Sequence, residues 1–401
     1  MNSFTNSMVR QLWEQNTDVV LVDTGNSYEG LCDYVNGKYI SYTEEHPITM
    51  NPFAINREEL NIEKIGFLKN LIMLIWKGTN GKITKTEDHL IEDVITEYYD
   101  AHFRLGKVKE LSFNTFYEYS TKRIPEIVRD NNLEGIDLAT YNYLLKDFYK
   151  GGNHELTLNE NLDTALFDET FIVFEIDSIK DDPLLFPLVT LIIMDVFIQK
   201  MRIKKNRKVL VIEEAWKAIA SPMMAEYIKY LYKTARKFWA SVGVVTQEIQ
   251  DIVGSPIVKE AIINNSDVIM LLDQSKFKER FDEIKAILGL TEVDCRKIFT
   301  INRLENKEGR SFFREVFIRR GQNAAVFGVE EPHECYMTYT TERAEKEALK
   351  LYKRELKCSH QQAIEAYCRD WDRSGISKSL PFAQKVNQAG HVLNLPSKKQ
   401  N

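Results

Sequence analysis

Two carboxylates stand next to each other directly after a run of aliphatic residues. The run, residues 209–212 (VLVI), leads into Glu213 and Glu214. An uninterrupted aliphatic run predicts a strand that is covered on both faces of a parallel sheet, and side chains at the carboxyl end of such a strand meet ligands. One acid there could hold Mg²⁺ while the other polarises an attacking water. The alternative is an ordinary strand before a helix whose N-terminal acids favour the helix dipole.

An amide and a basic residue come next along the chain. Gln247 follows the predicted strand 241–246, and its amide could contact both a γ-phosphate and the attacking water. Alternatively, it only closes the strand. Arg236 lies between the two strands, in the basic stretch 233–237 (KTARK). It either compensates the dipole at a helix C-terminus or faces a phosphate or a neighbouring subunit.

Three more charged residues are candidates for a nucleotide site. Asp23 ends the predicted strand 19–23, where it lies near the site or caps a loop. Arg319 and Arg320 precede a predicted turn, where they reach a neighbour's γ-phosphate as arginine fingers or keep the turn solvated. Polar residues at 264–267 and 273–275 flank one further predicted strand and would also lie at a sheet edge.

The elements around these residues predict an α/β fold with a parallel sheet. Helical patterns at 184–203, 222–238 and 256–264 separate strand-like runs, and this alternation is typical of a parallel sheet. A hairpin is predicted from the runs 314–319 and 323–329. The predicted strands of the sheet are 19–23, 170–175, 208–213, 241–246 and 267–272.

A second pattern predicts an all-α insertion. Amphipathic helices are expected at 62–78, 86–105, 113–129 and 137–149, with few strand signals among them. We therefore divide the chain into a first part of the α/β core (1–58), the insertion (59–155), the rest of the core (156–345) and a C-terminal helix with a polar tail (346–401). The tail is expected to be loosely ordered beyond Lys378.

Composition narrows the class of protein. The chain has 401 residues, of which 44% are apolar and 28% charged, and these values exclude a mostly disordered chain. With 53 basic and 59 acidic residues, nucleic-acid contact would need a local patch. The run 199–208 (QKMRIKKNRK) is either such a DNA or membrane contact or a solvated helix end. Five cysteines without a CxxC pair indicate a reduced, cytoplasmic compartment, and seven histidines without HxxxH spacing give zinc little support.

Motifs across nearly the whole chain resemble the TraG-type conjugative transposon ATPases, the motors of type IV secretion and conjugation. The resemblance implies a RecA-like P-loop NTPase core with an α-helical insertion, which uses ATP and Mg²⁺. It also implies a homo-oligomer, a hexamer in the family, that acts with other secretion subunits at the inner membrane. The motifs, in the family's order, are VLVDTGNSY (20–28), NPFAIN (51–56), FIVFEID (171–177), LVTLIIMDVFIQKMR (188–202), VLVIEEAWKAIA (209–220), TARK (234–237), VVTQ (244–247), NNSDVIMLLDQSK (264–276) and REVFIRRGQNAAVFGVE (314–330).

The resemblance also implies residue roles. Glu213 would hold Mg²⁺, although the family's first acid is usually Asp, Glu214 would activate water, and Gln247 would sense the γ-phosphate. Ser3 stands where a serine follows the lysine of the phosphate-binding loop, and the first strand and the glycine-rich loop themselves are absent. Residues 78–84 (GTNGKIT) do not replace that loop, because Trp76 and an isoleucine stand where glycine and Ser/Thr are required. Since each 1.4 kcal/mol is about tenfold in affinity, losing the loop would weaken ATP binding by orders of magnitude.

Three functions follow from these observations. The first is the C-terminal ATPase portion of a longer conjugation or secretion motor, in which hydrolysis drives assembly of the apparatus or DNA transfer. The second is a non-catalytic interaction module of the same complex. The third is a metal-dependent nuclease, which would need Asp267 and Asp273 to converge on Glu213. Binding of Mg²⁺·ATP separates the first two functions.

Overall fold

The structure, a computed structural model, describes residues 2–161, 164–214, 222–246, 262–303 and 313–393. Its larger sheet is parallel throughout and has five strands in the order β2-β3-β1-β4-β5. This confirms the predicted α/β class with a parallel sheet. The strands are β1 (Thr17–Asp23), β2 (Lys38–Ser41), β3 (Phe171–Glu175), β4 (Arg207–Glu213) and β5 (Ala240–Val245).

Each central strand buries both faces. Val19 on β1 lies opposite Phe171 and Val209, and these side chains belong to one apolar cluster. The next residue, Val20, lies opposite Ile172 and Leu210, which belong to a second cluster on the other face. Because successive side chains of a strand point to opposite faces, an uninterrupted aliphatic run suits this position.

Helices cover the two faces of the larger sheet. The cluster of Val19 includes residues of α1 (Asn2–Glu14) and α2 (Glu29–Tyr34), and the cluster of Val20 includes residues of six further helices in the described part of the chain before β5. Those six are α3 (Ile62–Lys77), α4 (Lys85–Phe103), α5 (Phe113–Asp130), α6 (Leu138–Leu145), α7 (Leu185–Ile203) and α8 (Pro222–Ala235).

The four predicted helices of the insertion are present, and their starts have a local cause. Asn61, Thr84, Ser112 and Asp137 each precede a helix and accept a hydrogen bond from the backbone N–H three residues later. Helix α6 is shorter than predicted and passes into a 3₁₀ turn at Lys146–Phe148. These helices share one apolar cluster with the sheet, and our boundaries at 58 and 155 stay predictions.

A second sheet corrects one prediction. The run 267–272 was expected to extend the parallel sheet, but β6 (Val268–Leu271) pairs antiparallel with β7 (Phe313–Arg320), which pairs with β8 (Asn323–Glu330). A short apolar run does not reveal whether its strand is covered on both faces, and here Val268 and Met270 are exposed. The predicted hairpin of β7 and β8 is confirmed. Helices α9 (Phe281–Leu288) and α10 (Glu292–Ile298) pack in the same apolar cluster as this sheet.

The C-terminal segment is more ordered than the sequence indicated. The expectation of a loose tail beyond Lys378 is wrong, because helix α14 (Ser379–Ala389) buries Phe382 and Val386 in an apolar cluster with Trp371. Its apolar residues recur at helical spacing among polar ones. The C-terminal helices are α11 (His333–Tyr339), α12 (Arg343–Leu356), α13 (His360–Ser374) and α14 (Ser379–Ala389).

In the described parts of the chain, no helix has both the length and the apolar character needed to cross a membrane.

Candidate functional site

Three strands of the larger sheet end in buried carboxylates that lie side by side. Asp23 ends β1 and is the register partner of Glu175, which ends β3. Val22 is the partner of Ile212, so Glu213 follows at the end of β4 beside Asp23. The exposed fractions of Asp23, Glu175 and Glu213 are 0%, 3% and 6%. By the alternation of the strands, all three lie on the face that α1 and α2 cover. We call Asp23, Glu175 and Glu213 the carboxylate row.

Sequence reasoning singled out Asp23 and Glu213 but missed Glu175. The signal was present, because the predicted strand 170–175 also ends in an acid. The rule applied to the other two strands, that parallel strands deliver their last side chains to one edge, finds this residue as well.

The loop after β1, residues 24–28 (TGNSY), is fixed to the carboxylate row by its backbone. Asp23 Oδ2 accepts hydrogen bonds from the N–H groups of Ser27 and Tyr28, at 2.7 and 3.2 Å. Glu175 Oε2 accepts from the N–H of Asn26 at 2.8 Å. Asn26 has a φ of 53°, a left-handed conformation that asparagine tolerates better than most residues. The row therefore shapes this loop.

The same loop connects the row to the first turns of α1. The hydroxyl of Tyr28, which is fully buried, donates to Glu213 Oε1 at 2.7 Å. Thr5 lies beside this hydroxyl and acts against the rise in the pKa of Tyr28. Asn6 Nδ2 donates to the backbone oxygen of Ser27 at 3.1 Å. Because the start of a helix presents free N–H groups and a positive dipole end, anions are favoured at the N-terminus of α1, close to these contacts.

Burial and the repulsion between like charges raise the pKa values of side chains in this site. Burial, followed by the charges of Glu175 and Glu213, raises the pKa of Asp23 to about 8. Burial also raises the pKa of Glu213, with the charge of Glu214 adding to it and the Tyr28 hydrogen bond opposing it. The pKa of Tyr28 lies well above its ordinary value, mainly because of burial, so its hydroxyl remains a donor at neutral pH. Asp23 is therefore largely protonated at pH 7.

Glu214 follows Glu213 in an unusual backbone conformation. Its φ is 49°, a left-handed value that costs a non-glycine residue free energy. Backbone strain of this kind clusters at functional sites, where the surrounding structure enforces it. The turn at Glu214 places a second acid immediately beyond the sheet edge.

The donor set fits Mg²⁺ when phosphate completes the coordination. Among the described residues, no group of three His, Cys, Asp or Glu side chains could hold a metal ion by itself. In nucleotide sites, however, Mg²⁺ is bound by one or two carboxylates together with phosphate oxygens and waters. Tyr28 occupies only Oε1 of Glu213, and no described residue donates to Oε2. Glu213 thus offers the kind of carboxylate oxygen that such sites use, and its role as a metal ligand stays a prediction.

Comparison with known proteins identifies the family. Residues 2–371 match the TraG P-loop domain. The chain belongs to the TraG P-loop domain family. Protein TraC of Escherichia coli (strain K12) is 22% identical over 288 residues, which cover 69% of this chain and 31% of TraC. The chain thus spans about a third of the length of this curated relative.

Solved structures share the fold. VirB4 of Thermoanaerobacter pseudethanolicus superposes with a TM-score of 0.59 at 20% identity, covering 82% of this chain and 86% of VirB4. The plasmid coupling protein TrwB, solved in complex with ADP and Mg²⁺, superposes with a TM-score of 0.50 at 11% identity, covering 82% of this chain and 81% of TrwB. These similarities agree with the parallel sheet described above.

Two further residues of this TraG-family chain, Gln247 and Ser3, were predicted to belong to the site. Gln247 lies outside the described residues. The strands it depends on are neighbours, as predicted, because β4 and β5 are paired and Glu213 is the register partner of Val245. Ser3 is exposed in the first turn of α1, as a residue next to a phosphate would be, and its role stays a prediction.

The three candidate arginines lie away from the carboxylate row. Arg236 precedes the amino end of β5, whereas the row lies at the carboxyl end of the sheet, and its guanidinium contacts Asp267 at 3.1 and 3.2 Å. Arg319 donates to the backbone oxygens of Leu288 and Gly289 at the end of α9. Arg320 ends β7. Contact of any of them with a neighbour's phosphate stays a prediction.

The polar groups around β6 are not part of the row, because β6 belongs to the other sheet. Asp267 pairs with Arg236, and Asp273 accepts hydrogen bonds from the backbone N–H and the hydroxyl of Ser275. These contacts give the nuclease interpretation no converging set of acids.

Most of the basic run 199–208 has partners within the protein. Lys200 is fully buried and lies 3.0 Å from Asp18. Lys208 is also buried and donates to backbone oxygens. Such contacts favour a structural role for the run over a DNA contact. The remaining partners are Glu63 for Arg202, Asp168 for Lys204 and the backbone oxygen of Gln15 for Arg207.

Proposed function

We propose that this chain is the ATPase portion of a conjugative transfer or type IV secretion motor, with its nucleotide between the first turn of α1 and the ends of β1 and β4. One observation carries the proposal: buried carboxylates end three adjacent parallel strands, and hydrogen bonds connect them through the loop 24–28 to α1. The carboxyl edge of a parallel sheet beside a helix N-terminus is where α/β proteins bind phosphate groups.

Each residue has one task in this proposal. The N–H groups that begin α1 face the phosphates. Glu213 holds Mg²⁺, which neutralises phosphate charge when it is bound. Glu214 accepts hydrogen bonds from the attacking water and polarises it, and the amide of Gln247 orients the same water. Asp23, which stays protonated, limits the negative charge that the site presents to a triphosphate.

The open edges of two strands support the presence of an additional strand in the working site. Among the described residues, β5 and β6 each have a strand partner on one side only, and the ion pair of Arg236 and Asp267 connects the segments that precede them. Val242 and Val244 on β5 are only half-buried, whereas β1 at the centre of the sheet buries every residue. We infer that a strand bearing the phosphate-binding loop pairs with the open edge of β5.

The partners follow from the family. TrwB is described as a conjugative coupling protein, and it was solved with ADP and Mg²⁺. By analogy, this chain assembles with copies of itself and with other transfer subunits at the inner membrane. Hydrolysis there drives assembly of the apparatus or transfer of DNA.

Titration calorimetry with Mg²⁺·ATP tests the proposal. The chain is titrated alone and with a peptide that contains a β-branched strand followed by a glycine-rich loop ending in Gly-Lys-Ser. We expect Mg²⁺-dependent binding that the peptide strengthens at least tenfold. The absence of binding under both conditions would contradict the ATPase function and would support the non-catalytic interaction module instead.

Phosphate release in the same preparation tests the role of Glu214. We expect Glu214→Gln to reduce turnover by a factor of 100 or more with little change in ATP affinity, because a neutral amide does not polarise water. Glu45→Gln, which changes an exposed glutamate, is the matched control. Equal turnover of the two variants would remove Glu214 from the chemistry.

A further inference from the structure

We propose that Tyr28 is a positioning residue, which holds the Glu213 carboxylate in the orientation required for the metal and connects it to the first turn of α1. The inference rests on the proposed function, because it assigns a role within that nucleotide site. Tyr28 was not a candidate from its residue type or spacing. The structure singles it out by its contacts.

The first step is the hydrogen bond itself. The Tyr28 hydroxyl lies 2.7 Å from Glu213 Oε1, and no other described side chain donates to Glu213. A hydrogen bond between a hydroxyl and a carboxylate is stronger than a neutral one, especially away from water. Since this bond occupies Oε1, it leaves Oε2 as the oxygen that is available to a cation.

The second step is the rigidity of the donor. The ring of Tyr28 is fully buried among apolar side chains of β1, β4 and the helices on that face, including Val9, Val19 and Leu31. Its backbone N–H donates to Asp23 Oδ2 at 3.2 Å. A ring that is packed in this way and anchored by its backbone cannot follow a carboxylate that rotates. Tyr28 therefore selects one orientation of Glu213.

The third step is the connection to α1. Thr5, one turn into the helix, lies beside the Tyr28 hydroxyl and acts against the rise in its pKa. Asn6, the next residue, donates to the backbone oxygen of Ser27. A displacement of this end of α1, where the phosphates are proposed to bind, is therefore transmitted to Glu213 through one side chain. Hydrogen bonds in such a chain strengthen one another.

The experiment measures the metal affinity of Tyr28→Phe. The substitution keeps the ring and removes only the hydroxyl. The full chain, with the strand-and-loop peptide present, is saturated with ADP and titrated with Mn²⁺, whose free concentration is followed by electron paramagnetic resonance. We expect about tenfold weaker Mn²⁺ binding in Tyr28→Phe, the effect of losing one such hydrogen bond. Because Thr5 of α1 lies beside the Tyr28 hydroxyl, the affinity for ADP in EDTA is measured separately, and the loss of Mn²⁺ affinity is expected to exceed any loss of ADP affinity.

Tyr99→Phe is the matched control. Tyr99 is also fully buried, and its hydroxyl donates to the backbone oxygen of Phe53 at 3.0 Å in the helical insertion. Like Tyr28→Phe, the substitution Tyr99→Phe removes a buried hydroxyl donor. Tyr99 lies in the helical insertion and does not contact the carboxylate row. We expect its Mn²⁺ affinity to equal that of the unsubstituted chain. Equal affinities of Tyr28→Phe and the unsubstituted chain would overturn the inference.

A double-mutant cycle separates this inference from the proposed function. The free energies of unfolding of Tyr28→Phe, Glu213→Ala and the double variant are measured in urea without nucleotide. Non-additive changes support the positioning of Glu213 by Tyr28, and additive changes overturn it. Failure of the unsubstituted chain to bind Mn²⁺ with ADP overturns the proposed nucleotide site, whatever the cycle shows.

Discussion

Asp23 and Glu175 are register partners at the ends of two adjacent parallel strands, and neither carboxylate is exposed to water. Burial, together with the negative charge of Glu175, favours the protonated form of Asp23. The proton resides mainly on Asp23, whose carboxyl has a pKa of about 8. This relationship gives the site a measurable pH dependence.

We predict that Asp23→Asn reduces the dependence of stability on pH. The folded chain keeps the Asp23 proton up to about pH 8, whereas the unfolded chain loses it near pH 4, so this residue stabilises the fold fully below pH 4 and progressively less up to pH 8. Asparagine can accept the same backbone hydrogen bonds but does not ionise. The free energy of unfolding in urea should decrease between pH 5 and pH 8.5. This decrease should be larger for the unsubstituted chain than for Asp23→Asn, by on the order of 3 kcal/mol.

The control for this experiment is Asp130→Asn, since Asp130 is exposed on the helical insertion. It changes the net charge by the same amount and should leave the pH dependence as it is. If Asp23→Asn and Asp130→Asn have the same pH profile, the proton does not reside on Asp23.

We predict that Lys64→Met destabilises the contact between α3 and α7. Lys64 Nζ lies 2.8 Å from Asp195 Oδ2, and both side chains are more than nine-tenths buried. Removing the lysine leaves the amide of Gln199, at 2.8 Å, as the one remaining donor to Asp195 among the described residues. An uncompensated buried charge costs about 3–5 kcal/mol, which denaturant unfolding can measure. The double variant Lys64→Met/Asp195→Leu should recover a large part of this loss, and no recovery would argue against the ion pair as its cause.

We predict opposite effects for two glycine substitutions. In Gly30→Ala the new Cβ would lie 2.4 Å from the backbone oxygen of Thr338, so α2 and α11 must separate and stability should fall by roughly 2 kcal/mol. Gly66 lies within α3, and a Cβ there meets no atom within 4 Å. Gly66→Ala should therefore stabilise the chain by about 0.5–1 kcal/mol through helix propensity. Thermal unfolding checks both signs, and a loss of stability in Gly66→Ala would contradict the packing described for α3.

We predict that the last helix contributes to global stability. Phe382→Ala removes a fully buried ring of α14 and should cost about 3–5 kcal/mol. Leu380→Ala, two residues away on the same helix, changes a side chain that is 37% exposed and should cost less than 1 kcal/mol. Chemical denaturation measures the difference, and equal small losses would mean that α14 unfolds independently.

The sequence predicted those parts of the fold in which burial leaves a pattern. Strands β1, β3 and β4 are covered on both faces and appear as uninterrupted aliphatic runs. Strand β2 was missed, because Lys38–Ser41 is a short edge strand with no fully buried residue. Strand β6 was assigned to the wrong sheet, because an apolar run of four residues carries no information about its partner.

The site was predicted where chemistry depends on residue type and missed where it depends on packing. Asp23 and Glu213 are acids at strand ends, and the sequence alone brings them to one edge. Tyr28 is one of 18 tyrosines, and its role follows only from the position of its hydroxyl beside Glu213. The apolar residues of α14 recur at helical spacing in the sequence. The polar residues around them led instead to the prediction of a loose tail.

The edge of β5 that has no strand partner among the described residues has a practical consequence for anyone who purifies this chain. An apolar strand with free backbone groups along one side recruits whatever extended peptide it meets, including the same strand of another molecule. At high concentration the isolated polypeptide should therefore form edge-to-edge aggregates. Charged substitutions at the half-buried Val242 and Val244 of β5 should reduce this aggregation, because charges on an edge strand oppose pairing with another copy.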